Sequence, residues 1–101
     1  MAWLVVMFDL PVGTKEERRI ATRFRKDLER DGFNRIQYSV YARACPSLAK
    51  VETHLRRLRP PQEGEVRALV LTDLQWSAMR VFFGGRAKEP ERRPEQLQFF
   101  F

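Results

Sequence analysis

Ala2-Trp3-Leu4-Val5-Val6-Met7-Phe8-Asp9 is the stretch that decides the fold. It is apolar without alternation until Asp9, the pattern of a central strand buried on both faces. Leu10-Pro11-Val12-Gly13 breaks it. Thr14 then opens a helix, and Glu17 three residues on completes a capping box. Ile20, Phe24 and Leu28 mark its apolar stripe. The helix runs to about Asp31, with Gly32 where a left-handed C-cap belongs.

Outward from there, residues 33 to 43 alternate and predict one strand. Ile36, Tyr38, Val40 and Ala42 form its core face; Arg35, Gln37, Ser39, Tyr41 and Arg43 form a polar face. Pro46 and Ser47 open a second helix with Val51, Leu55 and Leu58 on its core side, and Pro60-Pro61 ends it. Gly64 precedes a third strand, Val66 to Leu71. A turn through Asp73-Leu74-Gln75 follows, with Thr72 as its cap, then a fourth strand, Met79 to Phe83, closed by Gly84-Gly85. This β-α-β-β-α-β order predicts an α+β, ferredoxin-like sandwich: one antiparallel sheet with two helices on one face. The domain is expected over 1–85. Residues 86–101 read as a polar linker with Pro90 and Pro94, then a C-terminal apolar strand or tail, Leu97 and Phe99-Phe100-Phe101. Such an ending suits strand addition to a sheet edge, in its own protomer or a partner's; the other reading is a frayed tail.

The 101 residues make one domain with a small core, so a second copy could add burial. The 44% hydrophobic content is that of a folded chain, not a disordered one. No apolar run approaches the roughly 18 residues of a membrane helix. Residues 3–8 are too short for a secretory signal and lack a basic segment before them. A cytoplasmic location is expected, with no membrane partner. One cysteine, Cys45, excludes a disulfide framework and reads as a reduced residue beside a strand end.

The net charge is +6, from 15 Arg and 4 Lys against 13 acids. Arginine's planar fork suits phosphate oxygens. On the first helix Lys15, Arg19, Arg23, Lys26 and Arg30 share a stripe free of acids, apart from the apolar one. That stripe reads either as a solvated face or as a phosphate-binding row. Asp9, at the end of the first strand, is the sharpest candidate for chemistry. A rigid strand can aim it at a phosphate-bound magnesium, or it can fix the following turn through backbone N–H groups. The polar face of residues 35–43 suits a dimer interface, with nucleic-acid binding or plain solvation as alternatives. His54, the sole histidine, reads as an exposed helix position. No P-loop, GxGxxG or histidine pair occurs, which leaves ATPase, dehydrogenase and zinc-hydrolase functions without footing.

Several segments together resemble the small CRISPR-associated adaptation ("Cas-two") family, most closely its type II variants. They are Val5-Val6-Met7-Phe8-Asp9-Leu10-Pro11-Val12, the basic helix, Asp31-Gly32-Phe33 and above all Gln37-Tyr38-Ser39-Val40-Tyr41-Ala42-Arg43. Gly64-Glu65-Val66-Arg67 and Val70-Leu71-Thr72-Asp73 extend the resemblance to about Arg86. Many relatives have Tyr before the aspartate, where this chain has Phe8.

The resemblance implies a homodimer that scaffolds double-stranded DNA for the "Cas-one" integrase during spacer acquisition, with Lys15, Arg18, Arg19, Arg23 and Lys26 as its nucleic-acid contacts. It also implies a metal-dependent endonuclease (endoribonuclease) in which Asp9 is catalytic and binds weakly held Mg2+ or Mn2+, with RNA as a further ligand. Gln37, Ser39, Tyr41, Phe99 and Phe101 are the expected dimer-interface residues. The alternatives are a stand-alone ribonuclease toxin of similar fold and a generic nucleic-acid-binding ferredoxin-like module.

Overall fold

A computed structural model of the protein describes residues 1–87. Strand β1 (Ala2–Asp9) lies inside a four-stranded antiparallel sheet and is buried from Ala2 to Val6 and at Phe8. Helix α1 (Lys15–Arg30) carries the expected capping box: the Thr14 hydroxyl accepts from the Glu17 N–H, and the Glu17 carboxylate accepts from the Thr14 N–H. Gly32 takes φ +88 at its far end. The Gly32 and Phe33 N–H groups return to the Glu29 and Leu28 carbonyls, both at 3.0 Å, and Phe33 packs with Leu28. That is a Schellman ending with its apolar contact.

The segment from 33 to 43 is two strands, not one. β2 (Asn34–Gln37) and β3 (Val40–Cys45) form an antiparallel hairpin closed by Tyr38-Ser39, with a register shift between Arg35 and Gln37. Ser39 adopts φ 67, a region most side chains avoid. A two-residue loop by itself reverses side-chain parity, and the register shift between Arg35 and Gln37 restores it. Asn34 and Arg35 therefore keep the parity of Ala42 and Tyr41, and the alternation hides the turn. Helix α2 (Leu48–Arg57) follows, capped by Ser47. β4 (Glu65–Thr72) then pairs along all of β1, giving the order β2-β3-β1-β4. This is the ferredoxin-like arrangement.

The hairpin supplies the strand that Met79 to Phe83 was expected to provide. Those residues stand outside the main sheet: only Phe82–Phe83 (β5) is extended, pairing with Arg86–Ala87 (β6) across Gly84-Gly85. The Asp73–Ser77 turn is a short helix, α3, with a second capping box between Thr72 and Gln75. The expected linker and tail beyond residue 87, including Phe99 and Phe101, lie outside the described residues.

Both long helices cover one face of the sheet. Leu4, Val6, Phe8, Tyr41 and Cys45 meet Phe24, Leu28 and Val51 there. The opposite face gathers Trp3, Val5 and Ala42, flanked by Met7, Ile36, Val40, Leu71 and Trp76. It is capped at one end, where Trp76 of α3 stacks on Trp3 at 4.2 Å and 8°. The Trp3 indole N–H donates to Asp73 at 3.1 Å, which anchors α3. No helix among the described residues is long and apolar enough to cross a membrane.

Candidate nucleic-acid interface and strand-end acid

Alternation along β1 places Leu4, Val6 and Phe8 under the helices and Trp3, Val5 and Met7 on the open face. Asp9 continues the open-face set and is exposed. The same end of the sheet collects two further elements. The Phe8 N–H donates to the Ser39 carbonyl at 3.1 Å, which ties the hairpin tip to it. Glu65 stands opposite Asp9 in the β4 ladder, and directly opposed residues share a face. Glu65 accepts from Arg67 Nε at 2.7 Å; that hydrogen bond and the guanidinium charge hold its carboxyl below the usual range. Gly64, at φ +91, lets the strands close here: a Cβ on it would lie 2.6 Å from the Asp9 carbonyl oxygen.

No group of three or more His, Cys, Asp or Glu side chains placed for a metal occurs among the described residues. The donors at this end are hard oxygens, Asp9 with Glu65 across the ladder. Magnesium accepts such a set, because one or two carboxylates suffice when water and phosphate oxygens complete its shell. The residues therefore fit a site completed by substrate rather than a protein cage.

The basic row lies on the outward face of α1. Lys15, Arg18, Arg19, Arg23, Lys26 and Arg30 line a shallow groove there with Thr22, so the structure brings the expected phosphate contacts together. They are not equivalent. Arg19 pairs with Glu16 and Arg30 with Asp27. Arg18 donates to the Val12 and Gly13 carbonyls at 3.1 and 3.5 Å, bracing the loop before the helix. Lys15, Arg23 and Lys26 have no ion pair among the described residues.

The expected polar face of residues 35–43 needs correction. Tyr41 is 1% exposed beneath the helices, stacked against Phe8. Burial pushes its phenol up, and the neighbouring Glu29 carboxylate adds to this. Arg43 also points to the helix side. Of the trio named for an interface, Gln37 is exposed, Ser39 is half-buried in the turn, and Tyr41 belongs to the core. The helices cover the Tyr41–Arg43 part of the face expected to be polar and open, while Arg35 and Gln37 stay exposed.

His54 is buried, at 5% exposure, not on the surface as expected. Its Nε2 accepts from Arg43 Nε at 2.9 Å, so the ring proton sits on Nδ1 and faces Asp31 at 2.7 Å. Asp31 also accepts from Arg57 at 2.8 Å, and its carbonyl accepts from Arg43 at 2.9 Å. Burial pushes the Asp31 carboxyl up, but the hydrogen bonds from His54 and Arg57 outweigh it and leave it low. This cluster clamps β3 to both helices, and its partners are too far apart in sequence for spacing to reveal. Cys45 stands at the end of β3, as expected, and is buried, which pushes its thiol up.

Fold and site define a class: a small ferredoxin-like domain with a cationic helix face and a strand-end acid on its open sheet. Residues 1–79 match the family model of the CRISPR associated protein Cas2. The chain belongs to the Cas2 family. A relative from Parvibaculum lavamentivorans is 44% identical over 97% of this chain and 99% of its own length. One from Flavobacterium psychrophilum is 40% identical over 97% of this chain and 87% of its own. A third, from Paracidovorax avenae, is 43% identical over 99% and 94%. All three carry the name CRISPR-associated endoribonuclease Cas2.

Proposed function

We propose that this protein is a nucleic-acid-binding scaffold of CRISPR adaptation that also cleaves phosphodiester bonds when a divalent cation and substrate meet at Asp9. The observation that carries the reading is Asp9 itself: an exposed carboxylate ending an otherwise buried strand, in a chain whose relatives are named endoribonucleases. As a scaffold, two copies lay their α1 rows against duplex backbone while the Cas-one integrase joins the DNA to the array. The type II assignment and a cytoplasmic setting belong to the same proposal, the former resting on the segments around Asp9 and Gln37–Arg43.

In cleavage, Asp9 and Asp9 of the partner subunit would hold Mg2+ or Mn2+ across a two-fold axis. Such an ion supplies polarisation of the phosphodiester and a more acidic bound water. The chain's own residues do the rest. Asp9 fixes the carboxylate position from a rigid strand, Gly64 keeps β4 tight against it, and Arg67 restrains Glu65. The cationic row on α1 raises the local concentration of phosphate.

Two assays test the two halves. Asp9→Ala should abolish magnesium-dependent cleavage of RNA by highly purified protein, with integration by the reconstituted complex retained. Arg23→Glu with Lys26→Glu should abolish integration. Full cleavage by Asp9→Ala removes the assignment of that acid. Full integration by the charge-reversed protein removes the scaffold role.

A further inference from the structure

Tyr38 is not accounted for by packing. It occupies the tip of the β2–β3 hairpin, where Gly, Asn or Asp usually sit, yet its large ring is 69% exposed. The ring is nevertheless held. Arg25 Nη2 donates to the Tyr38 hydroxyl at 3.1 Å, and the guanidinium carbon lies 4.9 Å from the ring centroid. Arg25 is half-buried and lies 5.8 Å from the Phe8 ring, so it is seated rather than waving in solvent. The Ser39 carbonyl fixes the tip to β1 through the Phe8 N–H. A guanidinium thus braces the ring while most of its surface stays in water. Arg25 comes from the same helix as the phosphate row, two turns beyond Arg18 on one side.

A pre-positioned aromatic ring beside cations is the arrangement that holds single-stranded nucleic acid. The base stacks on the ring, and the cations track the backbone. Bases inside a duplex keep their faces covered by neighbours, so the ring discriminates for unpaired nucleotides. We propose that Tyr38, braced by Arg25, is a stacking platform for one unpaired nucleobase of a bound RNA or DNA strand, at the end of the sheet that carries Asp9. This rests on the nucleic-acid reading above and adds to it a ligand class, the unpaired base.

The test uses three probes: a single-stranded oligonucleotide containing 2-aminopurine, an abasic strand of equal length, and a blunt duplex. The wild-type protein should quench the 2-aminopurine emission. Tyr38→Ala should lose the quench and bind the base-bearing strand roughly tenfold more weakly, since one stack is worth about 1–3 kcal/mol. It should leave the abasic strand and the duplex unaffected. Tyr38→Phe and Tyr38→Trp, which keep an aromatic face, should keep the quench. Equal weakening of all three probes by Tyr38→Ala, or none, overturns the platform. Unchanged oligonucleotide binding with loss of a protein partner overturns it in favour of a protein contact. Wild-type binding of the duplex without any quench sinks the platform alone. Failure to bind any probe at low salt sinks the nucleic-acid reading beneath it.

Discussion

Neutralising the outward row of α1 should flatten the salt dependence of duplex binding, and the structure says which residues matter. Lys15, Arg23 and Lys26 are exposed and lack ion pairs among the described residues, whereas Arg19 and Arg30 are paired to acids and Arg18 braces a loop. In the proposed two-copy complex, three available cations per copy would neutralise about six phosphates, so log K against log salt should fall with a slope of about −5. Raising salt from about 50 to about 200 mM then weakens binding by roughly a thousandfold. Replacing Lys15, Arg23 and Lys26 by Gln should bring the slope to about −1 or shallower. Arg19→Gln alone should barely move it, because its charge already answers Glu16. Fluorescence anisotropy with a labelled blunt duplex across a salt series reads both. A steep slope in the triple variant, or an Arg19→Gln effect equal to that of Arg23→Gln, refutes the reasoning.

Two further outcomes concern stability. Asp31→Asn should cost about 1–3 kcal/mol at neutral pH, as the charge-assisted contact to buried His54 is lost. The Asp31 carboxyl is lowered in the folded state, so its contribution is complete above its ordinary value of 3.8 and fades as pH falls through the lower folded value. The gap between wild type and variant in urea unfolding, at fixed protein concentration, should therefore close on acidification; a gap constant with pH contradicts this. Gly64→Ala should cost about 2 kcal/mol, because its φ is +91 and the new Cβ meets the Asp9 carbonyl and the Leu10 Cα, neither of which can yield cheaply. An unchanged thermal midpoint would show that the strand end is looser than described.

Local signals were legible in the sequence, and remote ones were not. The run from Ala2 to Asp9, the Thr14–Glu17 box and the Gly32 ending each depend on neighbours in the chain, and all three stand where the sequence puts them. The α1 row was visible from helical spacing, but not its inequality, since which cation answers which acid depends on rotamers. The Tyr38-Ser39 turn escaped because it has no Gly, Asn or Pro, and because the register shift between Arg35 and Gln37 restores the parity that a two-residue loop reverses, so a hairpin looked like one strand. That merger moved every later strand by one place and called Met79 to Phe83 into the sheet. Tyr41 was then assigned to an open surface, although its ring fills the space beneath α1. His54 escaped for another reason: Arg43 and Asp31 lie 11 and 23 residues away, and only the packing of α2 on the sheet unites them.

The stacked indoles of Trp3 and Trp76 are the chain's two tryptophans. All of its indole emission therefore arises from one pair of rings in contact, where the short helix caps one end of the open face. Whatever comes to rest at that end of the open face meets the pair. The molecule carries an intrinsic optical gauge of that event, readable without a dye.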